Sequence, residues 1–61
     1  MNASEIKSGE RYRVTDIYEG SVVHATVFAR SDAVEDHWVC IRDDGKRILL
    51  PTSAFIRPEP R

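Results

Sequence analysis

The chain has 61 residues and a formal net charge of −1, with ten acidic and nine basic side chains. A chain of this length forms one domain that buries only about 60% of its unfolded surface. One cysteine excludes an internal disulfide, and with two histidines it supplies too few ligands for a structural zinc site. No stretch approaches the roughly 20 apolar residues of a membrane span, and no signal-peptide pattern opens the sequence. We therefore expect a cytoplasmic protein with no metal, cofactor or membrane partner.

Apolar and polar residues alternate with period two along most of the chain, which is typical of half-buried strands. In chain order the predicted elements are an N-terminal arm at 1–8, strands near 10–18, 21–30, 36–43, 46–50 and 55–57, and an extended tail at 58–61. The turn signals between them are Glu19-Gly20, the polar stretch 31–36, Asp44-Gly45 and Pro51. We therefore expect one all-β domain over 1–61, a five-stranded antiparallel meander closed into a small barrel.

The Asp44-Gly45 pair predicts how the third and fourth strands align. A two-residue turn places Arg42 opposite Arg47 and Ile41 opposite Ile48. The other predicted pairs are Cys40 with Leu49, Val39 with Leu50, Val14 with Ala25, Tyr12 with Val27, Val27 with Val39, and Ala25 with Ile41. Because side chains alternate between the two faces, the predicted core is Tyr12, Val14, Val23, Ala25, Val27, Val39, Ile41, Ile48, Leu50 and Phe55.

The second half, HWVCIRDDGKRILLPTSAFIRPE, resembles an SH3 domain: a tryptophan opens the third strand, and a distal hairpin, a proline, a 3-10 turn and a short strand follow. The residues that carry the resemblance are Trp38, Arg42, Gly45, Leu50, Pro51 and Phe55. Ala54 stands where SH3 domains that bind proline-rich peptides have a tyrosine, and no Ala-Leu-Tyr-Asp-Tyr-like acidic run precedes it. The opening KSGERYRVTDIYEG looks like the Gly-x-x-Tyr-x-Val start of bacterial and phage SH3-like barrels of the KOW and Tudor kind. The resemblance implies a barrel that lacks the peptide groove; members of that group bind RNA, DNA or proteins.

The outward face of this predicted barrel combines aromatic and basic side chains. Its candidate binding residues are Trp38, Phe28, Arg42, Arg47, Leu49, Arg13, Arg11 and His24. Arginines that face each other across a strand pair favour an anionic partner, and aromatic faces beside arginines suit single-stranded nucleic acid. The same residue types are also enriched in protein interfaces. A third possibility is that the terminal segments cover Trp38 and Leu49, with arginine stems packed over them.

Cys40 is the one candidate nucleophile, with Thr26 opposite and His24 one diagonal step away in the predicted register. A convex barrel face supplies neither an oxyanion donor nor a concave pocket, so we expect this thiol to behave as a small apolar side chain. The sequence therefore predicts a non-catalytic binding module, a small regulatory or accessory protein of bacterial or phage type. Its expected partner is another protein or a second copy of the chain, with nucleic acid as the alternative and no small-molecule substrate.

Overall fold

The computed structural model describes residues 1–60. Its strands are β1 (Arg11–Asp16), β2 (Ser21–Arg30), β3 (His37–Arg42), β4 (Arg47–Pro51) and β5 (Phe55–Pro58), with 3-10 turns at Ala3–Glu5 and Thr52–Ala54. They form one antiparallel sheet of order β4-β3-β2-β1-β5. The predicted all-β class with five antiparallel strands is confirmed; β1 to β4 form a meander, whereas β5 pairs with β1 and not with β4. Within residues 1–60 no backbone hydrogen bonds join β4 to β5, so the sheet is not closed into a barrel by hydrogen bonds.

The β1–β2 hairpin has a longer loop than its Glu19-Gly20 signal predicts. Tyr12 faces Ala25 and Val14 faces Val23, which shifts the predicted pairing by two residues. Because side chains alternate with period two, a shift of two leaves the same side chains inward. Tyr12, Val14 and Ala25 are buried as predicted.

The predicted register of β3 and β4 is wrong by one residue. The connection is a three-residue loop, 43–45, in which the N–H of Gly45 donates to the carbonyl of Arg42 at 2.8 Å. Gly45 has a φ of 91°, a left-handed conformation that glycine adopts without steric cost. Arg42 N–H then donates to the carbonyl of Lys46 at 2.8 Å, and Ile41 faces Arg47 instead of Ile48.

A one-residue shift exchanges the two faces of a strand. Trp38 and Cys40, predicted to point outward, are buried, and Trp38 is only 5% exposed. Val39 is half-buried and Ile41 is 37% exposed, so their predicted place in the core is wrong. The buried apolar core is Ile6, Tyr12, Val14, Ala25, Val27, Trp38, Cys40, Ile48, Leu50, Ala54 and Phe55, and Val23 packs against it.

The pairing of β2 with β3 contains a β-bulge at Phe28. Val27 faces Cys40 and Ala29 faces Val39, so Phe28 is an additional residue with no partner of its own. The predicted pair of Val27 with Val39 is therefore wrong. A bulge bends its strand and redirects a side chain, and here it leaves Phe28 61% exposed.

The N-terminal segment, predicted to be an arm, packs against the sheet. Ile6 is buried in the core. The hydroxyl of Tyr12 donates to the carbonyl of Glu5 and accepts from the N–H of Lys7, each at 2.9 Å. At the other end, β5 ends at Pro58; the predicted tail 58–61 includes Arg61, which lies outside the described residues.

Paired alanine substitutions distinguish the observed register of β3 from the predicted one. Trp38→Ala removes a buried ring that packs edge-on against Phe55 with 6.4 Å between centroids, and we expect a loss of about 3–5 kcal/mol. Ile41→Ala trims a partly exposed side chain and costs about 1 kcal/mol or less. Urea unfolding followed by circular dichroism measures both. A larger loss for Ile41→Ala than for Trp38→Ala would contradict this register.

Candidate binding surface

Trp38 is not available for stacking on a ligand. Its indole Nε1 donates to the hydroxyl of Thr52 at 3.0 Å. The guanidinium of Arg30 lies over the ring, 5.4 Å from its centroid, in a cation–π contact. The sequence raised the possibility that a terminal segment covers Trp38; the covering arginine instead comes from the end of β2, directly opposite Trp38. Trp38 is therefore a core residue and not part of an exposed binding surface.

Arg42, a second predicted binding residue, points inward to a buried carboxylate. Its Nη1 lies 2.8 Å from Asp16 Oδ2 and 2.9 Å from Glu19 Oε2, and its Nη2 lies 2.6 Å from Asp44 Oδ2. The side chain of Arg42 is 14% exposed, and that of Asp16 is 0% exposed. Arg42 shares the inward face of β3 with Trp38 and Cys40, so the one-residue shift moved all three together.

The environment of Asp16 favours its charged form. Burial acts in the opposite direction and raises the pKa of this carboxyl. The N–H groups of Tyr18 and Glu19 donate to its Oδ1 at 2.9 and 3.3 Å, and Arg42 donates to Oδ2. These donors and the charge of Arg42 outweigh burial, and the pKa of Asp16 is lowered. Hydrogen bonds from Lys46 and Arg42 likewise lower the pKa of Glu19.

Other predicted cations of the outer face have acidic partners. Arg11 forms an ion pair with Asp43. Nδ1 of His24 lies 2.6 Å from Glu59 Oε1, a contact that becomes a hydrogen bond when that nitrogen carries a proton. Together with Arg42, three of the five predicted basic residues therefore have an acidic partner. The other two, Arg13 and Arg47, form no ion pair with another residue in 1–60. A sequence cannot reveal these pairs directly, because most of their members come from different strands and turns.

The exposed side of β2, β3 and β4 is apolar where the predicted face was basic. We define the outer apolar face as Phe28, Ala29, Val39, Ile41 and Leu49. Ala29 lies opposite Val39, Val39 lies opposite Leu49, and Phe28 projects from the bulge. The sequence indicated Phe28 and Leu49 as binding residues. It missed Val39 and Ile41 because the two-residue turn assigned them to the core.

Charged groups lie at both ends of the outer apolar face. Arg47 faces Ile41 at the end next to the β3–β4 loop, and its side chain is exposed. At the other end of β3, the loop 31–36 carries three exposed acidic side chains, Asp32, Glu35 and Asp36. The face therefore has a cation at one end and a group of anions at the other.

The Cys40 thiol, the candidate nucleophile of the sequence, is buried in the core. Burial raises the pKa of the Cys40 thiol to about 12, so this residue is protonated at neutral pH. No group of three or more potential metal ligands occurs in residues 1–60. A surface depression beside the second 3-10 turn contains one ionisable side chain, that of Asp36; it is lined by Met1, Asn2, Ala3, Asp36, Pro51, Thr52 and Ser53.

Comparison with protein-family models, with curated proteins and with solved structures gives no match for this chain. In the part of the chain that the structure describes, no helix has the length and apolar character needed to cross a membrane.

Acid should destabilise the fold through Asp16 and Glu19. Their pKa values are lowered in the folded state, so below the ordinary carboxyl pKa of about 4 the unfolded chain binds more protons. Their stabilisation is therefore present above that pH and is lost as pH falls through the folded-state pKa values. We expect the melting temperature to fall steeply between about pH 4.5 and pH 2.

Arg42→Gln tests the cause of this acid sensitivity. Without the guanidinium, Asp16 keeps only its backbone donors against the effect of burial, so its folded-state pKa is higher than in the unaltered chain. We therefore expect a lower melting temperature at pH 7 and a smaller further loss in acid. Arg57→Gln is the matched control, because it removes an exposed cation that forms no ion pair with another residue in 1–60 and lies outside the outer apolar face. Similar melting curves for the two variants would contradict a stabilising role for the Asp16–Arg42 pair.

The thiol of Cys40 should be unreactive in the folded protein. At pH 8 we expect an aromatic disulfide reagent to modify it about 100-fold more slowly than in urea, because the thiol is buried and protonated. The control is Ile41→Cys in a Cys40→Ala background, in which the new thiol is exposed and reacts quickly. Fast modification of Cys40 together with slow modification at position 41 would show that the faces of β3 are reversed.

Proposed function

We propose that the chain is a non-catalytic protein-binding module and that the outer apolar face is its contact surface. The observation that carries this proposal is the exposure of Phe28, which is 61% exposed beside Ala29 and Val39 although the core beneath them is already filled. The aromatic ring lies at the bulge next to Ala29, which faces Val39, and Val39 in turn faces Leu49, so three neighbouring strands carry apolar side chains on this side. Such patches on small proteins are typical of interaction sites.

We also propose that the module is an SH3-like barrel. The order of elements supports this, because Trp38 lies near the start of β3, Pro51 ends β4, and a 3-10 turn leads into β5. Two side-chain contacts join the turn between β1 and β2 to β4 and to the residue that precedes it. The hydroxyl of Tyr18 donates to the carbonyl of Leu49 at 2.7 Å, and Lys46 Nζ lies 3.1 Å from Glu19 Oε1. Contacts between the first turn and the last strands of the meander support the proposal, because a small barrel brings these parts of the sheet together.

A protein partner fits the surface better than a nucleic acid does. Arg42 and Arg11 are held by carboxylates, His24 lies against Glu59, and Trp38 is buried, so four of the eight candidate residues are already occupied within the chain. The exposed face between them is apolar. A binding site for single-stranded nucleic acid combines free cations with free aromatic faces.

Nucleic acid remains the second candidate because of one specific pair. Arg13 faces Arg57 across β1 and β5, and neither forms an ion pair with another described residue. Opposed like charges are unfavourable and attract an anion such as a phosphate. If this pair binds nucleic acid, the affinity falls steeply with salt, and Arg13→Gln reduces the slope of log affinity against log salt by about 0.7 to 0.9.

Site-specific photo-crosslinking in the native cell tests the protein-binding proposal. A photoreactive phenylalanine analogue at position 28 should give a nuclease-resistant protein adduct of defined mass, and Ile41→Glu should abolish it. The control position is Val22, which is also exposed on β2 but lies outside the outer apolar face. Equal crosslinking at 22 and 28, or no protein adduct at 28, would contradict the proposal. An adduct that nuclease removes would favour the alternative.

A further inference from the structure

We infer that the partner is a second copy of this chain, packed against the outer apolar face across a twofold axis. The inference rests on the proposed function and names the occupant of the same surface. The charges at the two ends of the face carry it, because they make the face complementary to itself.

The negative end of the outer apolar face is not neutralised by any residue in 1–60. Asp32, Glu35 and Asp36 form no ion pair with another described residue, and all three are exposed in the six-residue loop before β3. Arg30, the nearest cation along the chain, lies over the ring of Trp38. The loop therefore presents unpaired negative charge at the end of β3 that lies away from Arg47.

The other end offers one free cation among paired charges. Arg11, Lys46 and Arg42 pair with four carboxylates, those of Asp43, Glu19, Asp16 and Asp44, so each of these side chains already has a partner within the chain. Arg47, opposite Ile41 on the outer face, has no ion pair with another residue in 1–60. Its guanidinium is the group at this end that is available to an acidic partner.

A twofold arrangement satisfies both ends at once. When two copies face each other with their β3 strands antiparallel, the acidic loop of each copy lies near Arg47 of the other, and the contact occurs twice. The apolar residues between the two ends then cover each other. In the alternative packing, with the two β3 strands parallel, the acidic loops of the two copies would face each other. The charges therefore favour the antiparallel orientation.

The free edge of β4 is a less suitable surface for a second copy. Strand-to-strand pairing needs free carbonyl and N–H groups along the edge. The hydroxyl of Tyr18 already donates to the carbonyl of Leu49, and Pro51 has no N–H to donate. The outer apolar face has no such protection, so we assign self-association to the face and not to the edge.

Sedimentation equilibrium of the full chain, with circular dichroism to monitor folding, tests this inference. We expect the average mass to rise with concentration from the monomer value of 7.0 kDa towards twice that value. Phe28→Ser should leave a folded monomer, whereas Val22→Ser, at an exposed position outside the face, should dimerise like the unaltered chain. A dimer that persists in Phe28→Ser would place the interface elsewhere and overturn the inference.

A charge exchange between the two ends tests the twofold orientation. Arg47→Glu alone, and Asp32→Lys with Glu35→Lys alone, should each weaken self-association by about tenfold or more, because each places like charges together twice. An equimolar mixture of the two variants should dimerise as the unaltered chain does, because both contacts are then between opposite charges. Failure of the mixture to dimerise would overturn this orientation.

These measurements separate the inference from the proposed function. If the chain stays monomeric at protein concentrations up to about 1 mM, its dissociation constant is too high for specific dimerisation. If position 28 nevertheless crosslinks to a heavier protein, protein binding stands and the second copy is excluded as the partner. If position 28 forms no protein adduct and the chain is monomeric, both fail together.

Discussion

The buried carboxylate of Asp16 constrains more of this structure than any other single group. It lies at the end of β1 with an exposure of 0%, and a charge removed from water to that degree requires a partner and several hydrogen-bond donors. The turn that follows supplies two N–H groups, and Arg42 at the end of β3 supplies the cation. The pair thereby joins the end of the first strand to the end of the third, 26 residues later in the chain.

The position of Arg42 determines which side of β3 forms the core. Residues two and four positions earlier lie on the same face, so Cys40 and Trp38 point inward whenever Arg42 meets Asp16. Val39 and Ile41 must then point outward, where they join Phe28 and Leu49. The buried ion pair and the outer apolar face are therefore consequences of the same register, and a surface predicted to be basic and aromatic is apolar with charged ends.

The sequence predicted the elements well and the faces of β3 poorly, for identifiable reasons. Alternation located the first four strands, and the turn signals and flanking prolines marked the short fifth. A two-residue error at the first hairpin left the faces of β1 and β2 unchanged. In β3, however, both alternating sets are apolar: Trp38 and Cys40 on one side, Val39 and Ile41 on the other. Alternation therefore did not show which set forms the core. The prediction depended instead on the length of the β3–β4 loop, which was predicted to have two residues and has three. The unpaired inward position of Asp16 was the available signal, since it required a cation on the inward face of β3. No feature of the sequence marked the bulge at Phe28.

Nuclear Overhauser contacts between β3 and β4 test the register most directly, because the ion pair, the core and the outer apolar face all depend on it. With the three-residue loop, backbone α-protons of Val39 and Leu49, and of Ile41 and Arg47, lie opposite each other and should give strong cross-strand contacts. The indole protons of Trp38 should in addition contact the ring of Phe55. Contacts that instead pair Val39 with Leu50 and Ile41 with Ile48 would contradict this register. They would show that the side chains of Trp38 and Arg42 point outward.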